Sequence, residues 1–157
     1  MTSQISKNTN TILYDRDFCL WIDSTVKQIQ EKDFQNIDWN NLLEEIASMG
    51  KREKNALESN LTILLMHLLK WQYQPDKRSN SWAFTITEHN RRIKKAFKQS
   101  PSLKLYFQEV FAESYADARK LASRETGLPI DTFPKESPFN AEDVLNCDSF
   151  FDENSNS

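Results

Sequence analysis

Only two glycines, Gly50 and Gly127, occur in this chain of 157 residues. Tight β-hairpins draw on residues that accept φ > 0, and phosphate-cradling loops need backbone free of side chains, so neither suits this chain. Leu, Lys, Glu, Gln and Ala instead favour helix. The expectation is an all-α fold in a single domain, long enough to bury roughly 70% of its unfolded surface.

The apolar pattern resolves that fold into four helices. Residues 1–12 are polar and expected to be disordered. Tyr14-Asp15-Arg16-Asp17 opens a first helix, on which Phe18, Trp21, Ile22, Val26 and Ile29 form one apolar face and Cys19 acts as a small hydrophobe. Lys32 and Asp33 close it. Asp38 is a good N-cap for a second helix over 39–73, where Leu42, Ile46, Met49, Glu53, Leu57, Leu61, Leu64 and Leu68 keep helical phase through Gly50. Beyond Leu61 the apolar residues cover nearly every side, which predicts a helix surrounded by its neighbours.

Pro75 and the polar DKRSNS end it. A third helix over 81–99 carries Trp82, Ile86, His89, Ile93 and Phe97 on its inner stripe. Ser100-Pro101 starts a fourth, with proline at its first position, and Gly127 is its C-cap. Short links favour an antiparallel four-helix bundle over residues 13–127. The apolar–proline pairs of residues 128–147 predict an extended strap laid over it, with Cys147 idle at its acidic end, and 148–157 an acidic disordered tail. Leu57, Leu61, Leu64, Leu65, Leu68, Trp71, Trp82, Ile86, Phe107 and Val110 are the expected core.

Charge is unevenly distributed along the chain. Residues 1–69 carry 7 basic and 10 acidic side chains, residues 70–104 carry 9 and 2, and residues 105–157 carry 4 and 11. The basic middle therefore faces either its own acidic flanks or a partner. No apolar run approaches the ~20 residues that span a bilayer; the longest is ILLMHLL. The opening MTSQISKNTNT has neither the charged nor the apolar region of a signal peptide, and a cytoplasmic location with reduced cysteines is expected.

Several segments occur together in a familiar order: LYDRDFCLWI, NLLEEIASMGKRE, LESNL, LLMHLLKWQYQP, RSNSW, SPSLK, YADAR and ETGLPIDTFP. Over roughly residues 12–145 the chain resembles the bacterial domain of unknown function family numbered twenty-nine. The resemblance implies an all-helical fold and brings no activity, substrate, cofactor or functional residue with it.

The residues themselves offer three candidate sites. His67 and His89, with Glu45, Glu53 and Glu58 on or beside the apolar stripe, could form a buried polar cluster. Di-iron bundles use Glu-x-x-His on two helices, and neither histidine has a glutamate three residues before it. Hydrogen-bonded core histidines are therefore expected, with no metal and no cofactor. Glu53 falls where an apolar residue belongs and would need an ion-pair partner if buried. Trp71, Arg78 and Trp82 flank the Pro75 turn and predict a corner lock, with Arg78 capping helix carbonyls. Arg91, Arg92, Lys94, Lys95 and Lys98, extended by Lys77 and Lys104, form a basic face.

No GxSxG elbow or nucleic-acid motif occurs. The expected function is non-catalytic: an interaction module that binds another protein, or a second copy of itself, through a charged helical face. A nucleic-acid-binding accessory protein using the basic third helix, and an enzyme built around Glu53, His67 and His89, are the alternatives. No membrane association is expected.

Overall fold

The computed structural model describes residues 12–152, and every element among them is helical. Residues 12–16 form a turn of helix (α1). It is followed by α2 (Phe18–Gln30), α3 (Trp39–Tyr73), α4 (Asn80–Gln99), α5 (Leu103–Thr126) and α6 (Asp148–Asp152). Short 3₁₀ turns lie at Phe34–Asn36, Pro75–Lys77, Ile130–Thr132 and Asp143–Leu145. No helix among the described residues is long and apolar enough to cross a membrane. The disorder expected at both ends falls largely on residues 1–11 and 153–157, which lie outside the described range.

Capping chemistry sets most boundaries. Asp17 breaks the expected first helix in two: its Oδ1 accepts the amide of Leu20 at 3.0 Å and caps α2. Lys32, at φ 58, turns the chain out of α2. Asp38 accepts from the backbone and side-chain amides of Asn41 at 3.4 and 2.6 Å at the start of α3. Ser79 caps α4 through the Trp82 amide. The fourth expected helix begins two residues late, because Pro101 and Ser102 form a turn ahead of Leu103. Gly127, at φ 74, ends α5 with its N–H on the Ser123 carbonyl. A residue with a Cβ would be strained there.

The chain divides into two compact units, Met1–Lys51 and Arg52–Ser157. α3 begins in the first and continues without a break through Gly50.

The larger unit has one hydrophobic core. Leu57, Leu61, Leu64, Leu65 and Leu68 of α3 share it with Ile86 and Ile93 of α4, Phe107, Tyr115 and Ala118 of α5, and Phe133, Phe139, Val144 and Cys147. Fully burying one such aliphatic or aromatic side chain contributes about 1.5–3 kcal/mol. Trp71 and Trp82 depart from expectation: both are half-buried. Their rings carry polar and cationic neighbours at the edge of the core rather than filling it.

Residues 128–147 are less extended than expected, because two 3₁₀ turns interrupt them. Their carbonyls are held by side chains of α4 and α5. Ser123 Oγ donates to Leu128 at 2.7 Å, Arg119 Nε to Phe133 at 2.9 Å and Asn90 Nδ2 to Val144 at 2.7 Å, while Tyr115 Oη donates to Pro134. The acidic tail is also ordered further than expected. Cys147 is buried in the core, and α6 places Phe151 edge-on to Trp71 and Phe150 edge-on to Phe139. Two adjacent phenylalanines supply apolar area that outweighs the local charge.

The smaller unit differs. Trp21 and Ile37 are its only buried apolar side chains among the described residues. Phe18, Ile22, Val26 and Ile29, expected to face a core, are exposed, as are Ile46 and Met49; Leu42 is half-buried. Cys19 is exposed as well. Among the described residues, one short helix and the opening turns of a second cannot cover two full apolar faces.

Candidate functional site

The polar groups of the larger unit gather around the end of α3. His67 and His89 are half-buried, and each bonds a carbonyl of its own helix four residues back: Ile63 for His67 and Thr85 for His89, both at 2.9 Å. A carbonyl only accepts, so Nδ1 carries the proton in both rings. Burial pulls the His67 pKa below its ordinary value; the Ile63 carbonyl opposes this, and the charges of Lys70 and His89 add to it. The histidines sense each other electrostatically, while their nearest hydrogen bonds stay local.

The acids expected beside them are elsewhere. Glu53 is exposed, so the pairing demand that its place in the stripe implied does not arise. Glu45 accepts from Tyr14 Oη at 2.5 Å within the smaller unit, and that bond raises the tyrosine to about 12. Glu58 accepts from Tyr106 Oη at 3.0 Å. Among the described residues, no three His, Cys, Asp or Glu side chains are grouped so as to hold a metal ion. The polar cluster of Glu45, Glu53, His67 and His89 therefore does not form as a buried unit.

A lysine that sequence reasoning passed over takes its place. Lys70 is only 3% exposed. Its ammonium lies 2.5 Å from Glu125 Oε1 and 4.4 Å from the centroid of the Trp82 ring. Glu125 is half-exposed, so a desolvated cation is held between a solvated carboxylate and an aromatic face. The available signal was its position directly after ILLMHLL, on the half of α3 that is apolar on every side. A charge there must be buried or must snorkel.

Next to it, Arg78 Nε donates to the Trp71 carbonyl at 2.8 Å, and its guanidinium sits 5.0 Å from the Trp71 ring centroid. This arrangement joins the end of α3 to the turn leading into α4. The Trp71 indole N–H finds no acceptor among the described residues.

The basic residues of α4 fall into two groups. Arg91 and Arg92 converge on Glu88, at 2.8 and 3.2 Å, and their hydrogen bonds, that of Arg91 foremost, hold its carboxyl at about 2. Lys94, Lys95 and Lys98 are exposed and take part in no ion pair among the described residues. Two open pockets lie in the same unit. One, of about 450 Å³, is lined by Glu58, Ser59, Thr62, Asp117 and Leu121; the other, of about 260 Å³, by Phe97, Lys104, Phe107 and Leu145. Neither is lined by His67, His89 or Lys70.

Chemically, the Lys70 cluster is suited to holding the helix ends in register, and the Lys94, Lys95 and Lys98 surface to meeting an anionic partner. No curated protein matches the chain, and no solved structure does. A family model does match, over residues 13–150, which is nearly all of the described chain. The chain belongs to that family, Domain of unknown function DUF29.

Proposed function

We propose that the protein is a non-catalytic, cytoplasmic interaction module that binds an acidic protein surface through α4. The observation that carries this reading is the exposed row of Lys94, Lys95 and Lys98, which no acid of the described chain neutralises. Arg91 and Arg92 extend the row and share one carboxylate between them, leaving a net positive face. Such a face speeds encounter with an acidic partner and selects against basic ones. Within the larger unit we propose antiparallel packing of the second half of α3, α4 and α5, which the short links at 74–79 and 100–102 favour. The first helix of the expected bundle, as α2, belongs to the smaller unit.

The basic row also suits nucleic acid, so the test separates the two partners. Wild type and a variant with Arg91, Arg92, Lys94 and Lys95 reversed to Glu are used to capture partners from native lysate. In parallel, both are titrated with a polyglutamate peptide and a single-stranded oligonucleotide. Loss of an acidic protein and of polyglutamate binding on reversal supports the proposal. Nucleic acid lost on reversal, with affinity falling at about 0.7 log units per phosphate contact for each log unit of salt, supports the second reading. Unchanged capture by the reversed variant overturns both.

A further inference from the structure

The smaller unit is dominated by apolar surface it does not cover. It supplies 40 of the 141 described residues yet holds eleven of their fifteen exposed large apolar side chains. On α2, Phe18, Ile22, Val26 and Ile29 are 38–47% exposed at helical spacing; on α3, Trp39, Leu43, Ile46 and Met49 are 47–62% exposed. These eight side chains present on the order of 700 Å² of apolar area, close to the share one partner gives to a standard interface. A typical monomer exposes a largest patch of only about 300–600 Å².

A unit of 51 residues is marginal by itself, and a disulfide, a metal or another chain is the usual supplement to so small a core. Cys19 is the only cysteine in residues 1–51, so a disulfide within the unit is excluded. Among its described residues no metal-holding group of side chains exists.

Gly50 points to which chain completes it. Glycine within a helix is disfavoured relative to alanine, and here a Cβ would meet nothing within 4 Å. Nothing in the described chain asks for glycine at this position. It lies four residues beyond Ile46 on the same exposed stripe, where a missing side chain makes a hole. Leu43, 62% exposed, is a knob on the other side of Ile46.

We propose that this face is a self-association surface, on which two copies of the chain pair the first turns of α3 antiparallel about a two-fold axis. An axis crossing the helices near Ala47 and Ser48 sets Ile46 of each copy against Met49 of the other, and Leu43 of each over Gly50 of the other. Trp39, Leu42, Ile46 and Met49 have the 3-4-3 spacing of such a seam. Knob and hole occur on one stripe, as a two-fold contact requires, since the same patch must fit itself. The apolar face of α2 extends the buried area. None of its residues belongs to the basic row of α4, so failure of one proposal leaves the other intact.

Sedimentation equilibrium of the full chain from about 1 to 100 µM, a range that resolves micromolar dissociation constants, tests the proposal. A concentration-dependent rise from 18.4 kDa to twice that mass is expected. The double variant Leu43→Glu, Ile46→Glu should stay monomeric throughout. Gly50→Ala, which removes the hole while improving helix propensity, should keep its helical circular dichroism and weaken association at least tenfold. That variant decides the matter if the double variant loses helix content. A wild-type chain that stays monomeric at the highest concentration overturns the proposal, as does a dimer indifferent to Gly50→Ala.

Discussion

Two stretches of α3 share one apolar pattern and meet different fates. Trp39, Leu43 and Ile46 recur 18 residues on as Leu57, Leu61 and Leu64, and 18 residues make about five helical turns, so the phase is unchanged. The first three are about half exposed; the second three are buried almost completely. Around Leu57–Leu68 the residues of α4, α5 and the C-terminal segment enter one cluster. Among the described residues of the smaller unit, which holds Trp39–Met49, only Trp21 and Ile37 are buried apolar side chains. Apolar periodicity therefore registers which side chains require cover, and says nothing about whether the chain itself provides it.

The contrast can be broken most directly at matched positions. Leu64→Ala should destabilise by about 2–5 kcal/mol through lost transfer energy and a residual cavity, read as a shift in the denaturant midpoint. A loss below about 1 kcal/mol would place Leu64 outside a tightly packed core.

The Lys70 site gives a second, intermediate effect with a built-in asymmetry. Glu125→Ala leaves a buried ammonium with only the Trp82 ring and should lose about 3 kcal/mol, because an uncompensated buried charge remains. Lys70→Met keeps the stem packed and leaves a half-solvated carboxylate, so about 1 kcal/mol is expected, in line with a weak exposed pair. Equal losses in the two variants would mean that Lys70 is solvated.

A smaller effect should appear with pH. Burial depresses the His67 pKa in the folded chain, so the unfolded chain takes up the proton first as pH falls. Stability from this group is present above the ordinary value near 6.5, declines as pH drops below it, and levels off under the lowered folded value. His67→Gln should flatten that slope. An unchanged slope in unfolding measurements from pH 7.5 to 5 would contradict the burial.

Smallest of all should be Leu43→Ala in dilute protein, within about 0.5 kcal/mol, as for a surface site. At high concentration the same substitution should become costly, because the face is then covered by a second copy. Comparison of dilute and concentrated melts thus sharpens the contrast between the two ends of α3.

Much of the fold was legible from residue types alone. The 39–73 helix, its phase past Gly50 and the caps at Asp38 and Gly127 follow from local chemistry: propensity, capping oxygens and apolar phase act within a few residues of themselves. Most of the larger core, from Leu57 to Val110, was legible for the same reason.

Other features depended on contacts between residues distant in sequence. Lys70 and Glu125 are 55 residues apart, and only the packing of α5 beside α3 makes the lysine a buried ion-pair partner. Glu53, read as a buried acid from its place in the stripe, is exposed because nothing among the described residues covers that part of the helix. Cys147, Phe150 and Phe151 join the core although their neighbours in sequence are acidic. The sequence by itself determined where helices start and stop and which faces are apolar; the tertiary structure alone decided which faces are covered, since burial is a property of what packs against a surface.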